Sequence, residues 1–196
     1  MKDDTPAPDE DDGRFLGLAA TIFYGLMAIG AYALMAGFDL DVGATIFGGP
    51  ESDAATAAAL GAGAGLLIVG LSHFGRDAGP MKALRREMKD MLGRPSDATI
   101  LTVAAASAIG EELLFRGAMQ PLLGVWPTIV IFGLLHGGGM KKLWAWTVFA
   151  LLGGAAFAAL TLFTESLLAA IVMHFTVNYF NLLALTREEP SPPAVH

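Results

Sequence analysis

Apolar residues along this chain are not spaced at intervals of two or 3.6. They come in runs of about 20, the length an α-helix needs to cross a bilayer. Six runs are predicted as spans, at 15–37, 54–75, 97–119, 122–139, 143–163 and 166–185. The fourth is short for a spanning helix. Between the second and third lies RDAGPMKALRREMKDMLGR, where Met81, Leu84, Met88 and Met91 fall at helical spacing. That pattern predicts an amphipathic helix lying in the membrane interface. The pattern therefore reads as an all-α, polytopic membrane helical bundle of about six transmembrane helices, plus one interfacial amphipathic helix.

Composition agrees with this reading. The 196 residues are 54% hydrophobic and only 16% charged, with a mean hydropathy of +0.55. One domain, 15–185, accounts for all the runs. The net charge of −7 argues against nucleic acid as a partner. Because the chain has no cysteine, it has no disulfide, no thiolate nucleophile, no cysteine-ligated metal and no prenyl or palmitoyl anchor of its own. The opening MKDDTPAPDEDDGR lacks the basic region of a secretory signal, so 1–14 is expected to be an acidic disordered tail. Residues 186–196 are expected to form a second tail, with His196 a tail residue rather than a ligand.

Lys and Arg are distributed unevenly over the predicted connections. Six spans put both tails, the 76–96 connection and the Lys141–Lys142 turn on one side. That side holds 11 of the 12 basic residues, and the twelfth, Arg116, lies inside a span. Positive residues stay in the cytoplasm, so both termini are expected there and the number of spans should be even. Small residues crowd the second span (AATAAALGAGAGLLIVG) and recur at Gly153–Gly154, a composition that serves close helix packing. His73, beside Arg76 at the end of the second span, reads as an interfacial polar residue.

A few costly groups remain inside the spans: Glu111, Glu112 and Arg116 in the third, His136 in the fourth, His174 and Asn178 in the sixth. Each ionisable group at mid-bilayer costs about 2.5–3.5 kcal/mol on insertion scales, so together they are expected to meet in a shared, partly hydrated interior site. Glu112 and Arg116 stand four apart with the acid first, the favourable order for an intrahelical ion pair. Glu111 points about 100° away and has no partner in its own helix, which makes it a candidate proton acceptor. His174 and Asn178 share a helix face and can both donate to a developing oxyanion. His136 can accept or relay a proton with Glu111. It falls near the end of its span, and the triple glycine at 137–139 favours a helix break there, with the site displaced towards the cytoplasmic half. Ser107 lies one turn before Glu111 but outside any G-x-S-x-G context, so water activated by Glu111 is the simpler nucleophile. Residue types and spacing alone leave two classes open: a hydrolase, and a non-enzymatic transporter or channel that uses the same groups for protons or substrate.

The segments EELLFR (111–116), FGLLH (132–136) and HFTVN (174–178), in that order on separate predicted helices, resemble the motif set of one family. This is the CAAX-protease and bacteriocin-processing (CPBP, or abortive-infection) family of intramembrane proteases, which includes type II CAAX prenyl endopeptidases. The resemblance covers about 97–185, and the first two spans add only hydrophobicity. It implies an intramembrane endopeptidase in which Glu111 and His136 activate water, His174 and Asn178 stabilise the oxyanion, and Glu112 and Arg116 support the site. It implies no cofactor. A zinc ion held by Glu111, His136 and His174 is the alternative, although the chain has no H-E-x-x-H. The implied partners are the lipid bilayer and a membrane-associated protein or peptide substrate: a prenylated CAAX tail, a bacteriocin precursor or a carboxy-terminal sorting segment. The implied location is the inner membrane of a bacterium or archaeon.

Overall fold

The computed structural model describes residues 13–49, 53–138 and 140–187. The two expected tails lie outside the described residues, His196 included, except at their inner edges. There Arg14 already opens the first helix, and Thr186 and Arg187 still belong to the last one.

Every regular element among the described residues is a helix: α1 (Arg14–Gly37), α2 (Val42–Phe47), α3 (Ala54–Phe74), α4 (Gly79–Leu92), α5 (Asp97–Glu112), a π-helix (Leu113–Met119), α6 (Gln120–Leu123), α7 (Val125–Gly137), a 3-10 turn (Lys141–Leu143), α8 (Trp144–Thr164) and α9 (Leu167–Arg187). Short polar side chains start the helices. Asp41, Asp53 and Ser96 each accept a backbone N–H of the first turn, at 2.9, 3.0 and 3.2 Å. The Thr56 hydroxyl and the Ala55 amide also hold the Asp53 carboxyl below its ordinary range, so this cap stays charged.

Five stretches are long and apolar enough to cross a membrane: Arg14–Gly37, Ala54–Phe74, Asp97–Leu123, Lys141–Thr164 and Leu167–Arg187. Their outward faces carry bare large side chains such as Phe15, Ile29, Leu67, Leu152 and Phe163, while Glu111, Glu112, Arg116 and His174 are buried. This inside-out distribution suits lipid as the surrounding medium. The expected fourth span differs from the prediction. Gly124, at φ 89°, splits 122–139 into α6 and the thirteen-residue α7, which is only about 20 Å long against a hydrocarbon core of about 30 Å. α7 still returns the chain to the end it left, and it terminates at Gly137, with Gly138 left-handed at φ 56°. The third span also runs four residues further than predicted, to Leu123, through the π-helix.

α9 is the central helix and packs against α3, α5 and α8, while α1 lies on α5 and α7 on α8. Small residues set these distances. A side chain at Gly61 would collide with the Ala169 carbonyl, and one at Gly65 with Thr176, so α3 lies almost backbone to backbone on α9.

The predicted amphipathic helix is α4. Leu84 is buried, and Met81 and Met88 pack with it against Leu143, Ala145 and Trp146, whereas Met91 is exposed. Much of the apolar face is therefore seated on the bundle itself. Lys142 donates to Glu87 at 2.6 Å and Arg187 to Asp97 at 3.0 Å, and Gly13 packs on Pro95. These contacts gather α4, the 141–142 turn, Arg14 and Arg187 at one end of the bundle, where the described Lys and Arg concentrate. His73, at the same end, has both ring nitrogens within 3.2 Å of an Arg76 guanidinium nitrogen.

Candidate active site

The site is built on the end of α5. Glu111 and Glu112 close the α-helical part of that segment, and the π-helix begins at the next residue. A π-turn inserted in a long helix is rare and is frequently found at functional sites. Arg116 sits on it with its guanidinium wholly buried: Nη1 donates to Glu112 Oε1 at 3.1 Å and Nη2 to the Gly154 carbonyl at 3.0 Å. The cation lies 4.3 Å from the Phe132 ring centroid and 5.2 Å from that of Phe157. The small-residue pattern predicts only a packing role for Gly154; its carbonyl is in fact a partner of the buried charge, and its missing side chain leaves room for Arg116.

Two imidazoles approach from other helices. His136 Nδ1 is 2.8 Å from the Phe132 carbonyl oxygen, which can only accept, so Nδ1 carries the proton and Nε2 points away from it. His174 Nδ1 is 2.7 Å from Glu112 Oε1, and its ring stacks on Phe157 with centroids 4.6 Å apart. Glu112 is therefore more than the partner of Arg116, because it also fixes the His174 ring. The two Nε2 atoms converge on one oxygen, Glu111 Oε2, at 3.4 Å for His136 and 3.9 Å for His174. Two carboxylates facing one guanidinium leave one negative charge. One proton held among Glu111, His136 and His174 would balance that charge.

Asn178, one turn beyond His174, donates through Nδ2 to Ser107 Oγ at 3.0 Å. The Ser107 hydroxyl in turn donates to the Ala104 carbonyl at 3.2 Å, and the residue is buried. That hydroxyl is committed to structure, in keeping with a water nucleophile.

A cavity of about 320 Å³ opens beside these groups, with His136, His174 and Asn178 on its polar wall and Ile68, Phe149 and Phe157 among its apolar ones. Glu111 does not itself line the cavity and is 6% exposed; its Oε2 adjoins the lining residues His136 and His174. Much of the remaining lining comes from the last turns of α3, from Met81 of α4 and from the first half of α8, so the cavity belongs to the basic end of the bundle.

The structure thus brings all six residues of the three motifs together. It also corrects the view that the first two spans add only hydrophobicity. The Tyr24 hydroxyl of α1 faces Glu111, and α3 supplies Ile68, Leu71 and Ser72 to the cavity. A tyrosine and a serine in apolar runs, with no second motif residue at helical spacing, carry no signal that could have marked them.

Among the described residues, no group of three or more histidine or acidic side chains is arranged to hold a metal ion. In the alternative zinc triad, His136 Nε2 and His174 Nε2 face the Glu111 carboxylate directly. The neighbouring Glu112 is already taken by Arg116 and His174.

Residues 96–180 match the family model described as Rce1-like, type II CAAX prenyl endopeptidase Rce1-like. No curated protein and no solved structure matches the chain.

Proposed function

We propose that this chain, whose residues 96–180 match the Rce1-like family model, hydrolyses a peptide bond of a membrane-associated protein or peptide, with water as the nucleophile. The observation that carries this reading is the convergence of His136 Nε2 and His174 Nε2 on Glu111 Oε2 beside a cavity of about 320 Å³.

In the proposed reaction Glu111, together with His136, takes a proton from a water in the cavity. The resulting hydroxide adds to the scissile carbonyl carbon. Negative charge that develops on the carbonyl oxygen is met by His174 Nε2 and the Asn178 carboxamide, both on the cavity wall. The captured proton then passes to the departing amine nitrogen as the C–N bond breaks. Glu112 and Arg116 hold His174 and the end of α5 in place. No step is routed through a metal, and we expect a chelator such as EDTA to leave turnover unchanged; loss of activity that zinc restores would instead support the zinc triad.

The cavity opens at the basic end, and by the positive-inside rule that end is cytoplasmic, as are both termini. A prenylated tail, a bacteriocin precursor and a sorting segment all remain candidate substrates. Comparing protein termini in membranes of cells that carry and lack this protein tests the proposal. New amino and carboxy termini found only in its presence name the substrate and the side of cleavage. Equal termini with good expression would shift the reading to a transporter or immunity factor.

Replacing Asn178 by Ala is expected to lower the rate by about 10²–10³, the usual loss for one oxyanion donor. Single-turnover cleavage checks this, and a change confined to substrate affinity would make Asn178 a binding residue instead.

A further inference from the structure

We infer that Ser107 is a positioning residue, which holds the Asn178 carboxamide in its working orientation across the α5–α9 contact. This rests on the proposed role of Asn178 and adds a partner that the motif set does not contain.

The direction of the hydrogen bonds decides the orientation. Ser107 Oγ–H is spent on the Ala104 carbonyl, 3.2 Å away, so towards Asn178 the hydroxyl offers only a lone pair. A carboxamide facing a lone pair must present its N–H, and Nδ2 lies 3.0 Å from Ser107 Oγ. The amide flip is thereby settled by a buried group, since Ser107 is 3% exposed. An alanine at 107 would remove that constraint and let the carboxamide turn over, placing its oxygen where a donor is wanted.

The tie also has a partner in the same contact. On α5, Ser107 and Glu112 are five residues apart; on α9, Asn178 and His174 are four apart. Ser107 meets Asn178 and Glu112 meets His174, so the two polar ties run in antiparallel register, about 7 Å apart along the helix axes. One tie would leave α9 free to rotate about it. Two ties fix both rotation and register, and they place both groups assigned to the oxyanion with respect to Glu111.

The test uses the full chain in lipid nanodiscs. Asn178 and Asn181 are the two asparagines of the sequence, so ¹⁵N-asparagine labelling yields two carboxamide pairs. The Asn178 pair, assigned by its loss in Asn178→Ala, is expected to move in Ser107→Ala and to stay near its parent position in Ser107→Thr, while the Asn181 pair moves in neither. In cleavage assays Ser107→Ala is expected to lower kcat about tenfold with KM within twofold, Ser107→Thr to recover most of that loss, and Ser107→Ala to add nothing on top of Asn178→Ala. An unmoved Asn178 pair, or losses that multiply in the double variant, would overturn the inference. If the parent proves to cleave nothing, the protease reading fails separately, and the carboxamide spectrum still decides whether Ser107 orients Asn178.

Discussion

Glu111→Gln is expected to abolish peptide-bond cleavage while leaving the protein inserted and folded. Glutamine keeps the shape of the side chain but cannot take a proton from water. The two Nε2 atoms that converge on Glu111 Oε2 would face a neutral amide. Loss of a positioned general base costs about 10²–10⁴ in rate. The fold should tolerate the change for an electrostatic reason. With Glu111 neutral, the Glu112–Arg116 pair balances by itself, and the histidines need hold no extra proton. The check is cleavage by purified variant in proteoliposomes, beside its thermal unfolding midpoint. Retained turnover would remove Glu111 from the role of proton acceptor, and an unfolded variant would show that its charge is needed for assembly.

Arg116→Ala should have the opposite profile, with the fold lost first. Arg116 is 2% exposed and Glu112 fully buried, so the substitution strands a carboxylate without its cation. Removing one partner of a buried ion pair costs about 3–5 kcal/mol. It also releases the Gly154 carbonyl and empties the space between Phe132 and Phe157. Folded yield and the unfolding midpoint in detergent are expected to fall together. Lysine should not rescue, because one ammonium cannot reproduce the two-point contact to Glu112 and Gly154. The paired change Glu112→Gln with Arg116→Met removes both charges at once and is expected to recover much of the stability. It should remain slow in cleavage, since His174 Nδ1 loses its charged acceptor. If Arg116→Ala expresses and unfolds like the parent, the ion pair does not support the site.

These two outcomes separate roles that adjacent residues share on one helix turn. Glu111 and Glu112 differ by one position, yet one faces two Nε2 atoms and the other a guanidinium and an Nδ1. The sequence pattern already divided them by the 100° step between neighbours on a helix. It could not supply the link through His174, which touches both.

What the sequence determined by itself was whatever depends on one helix at a time. Apolar runs of spanning length set the membrane class and most helices, and the spacing of Met81, Leu84 and Met88 set α4 and the face it buries. The four-residue step from Glu112 to Arg116 set their ion pair. The tertiary structure decided whatever depends on how two helices face each other. Rotation and register are fixed by close approaches such as Gly61 on Ala169, and composition does not aim those glycines. Only that packing brings Glu112 to His174, Ser107 to Asn178, the Gly154 carbonyl to Arg116 and Tyr24 to Glu111. The π-helix and the short α7 belong to the same class. A π-turn is held by the contacts around it, so a single helix carries no period that announces it.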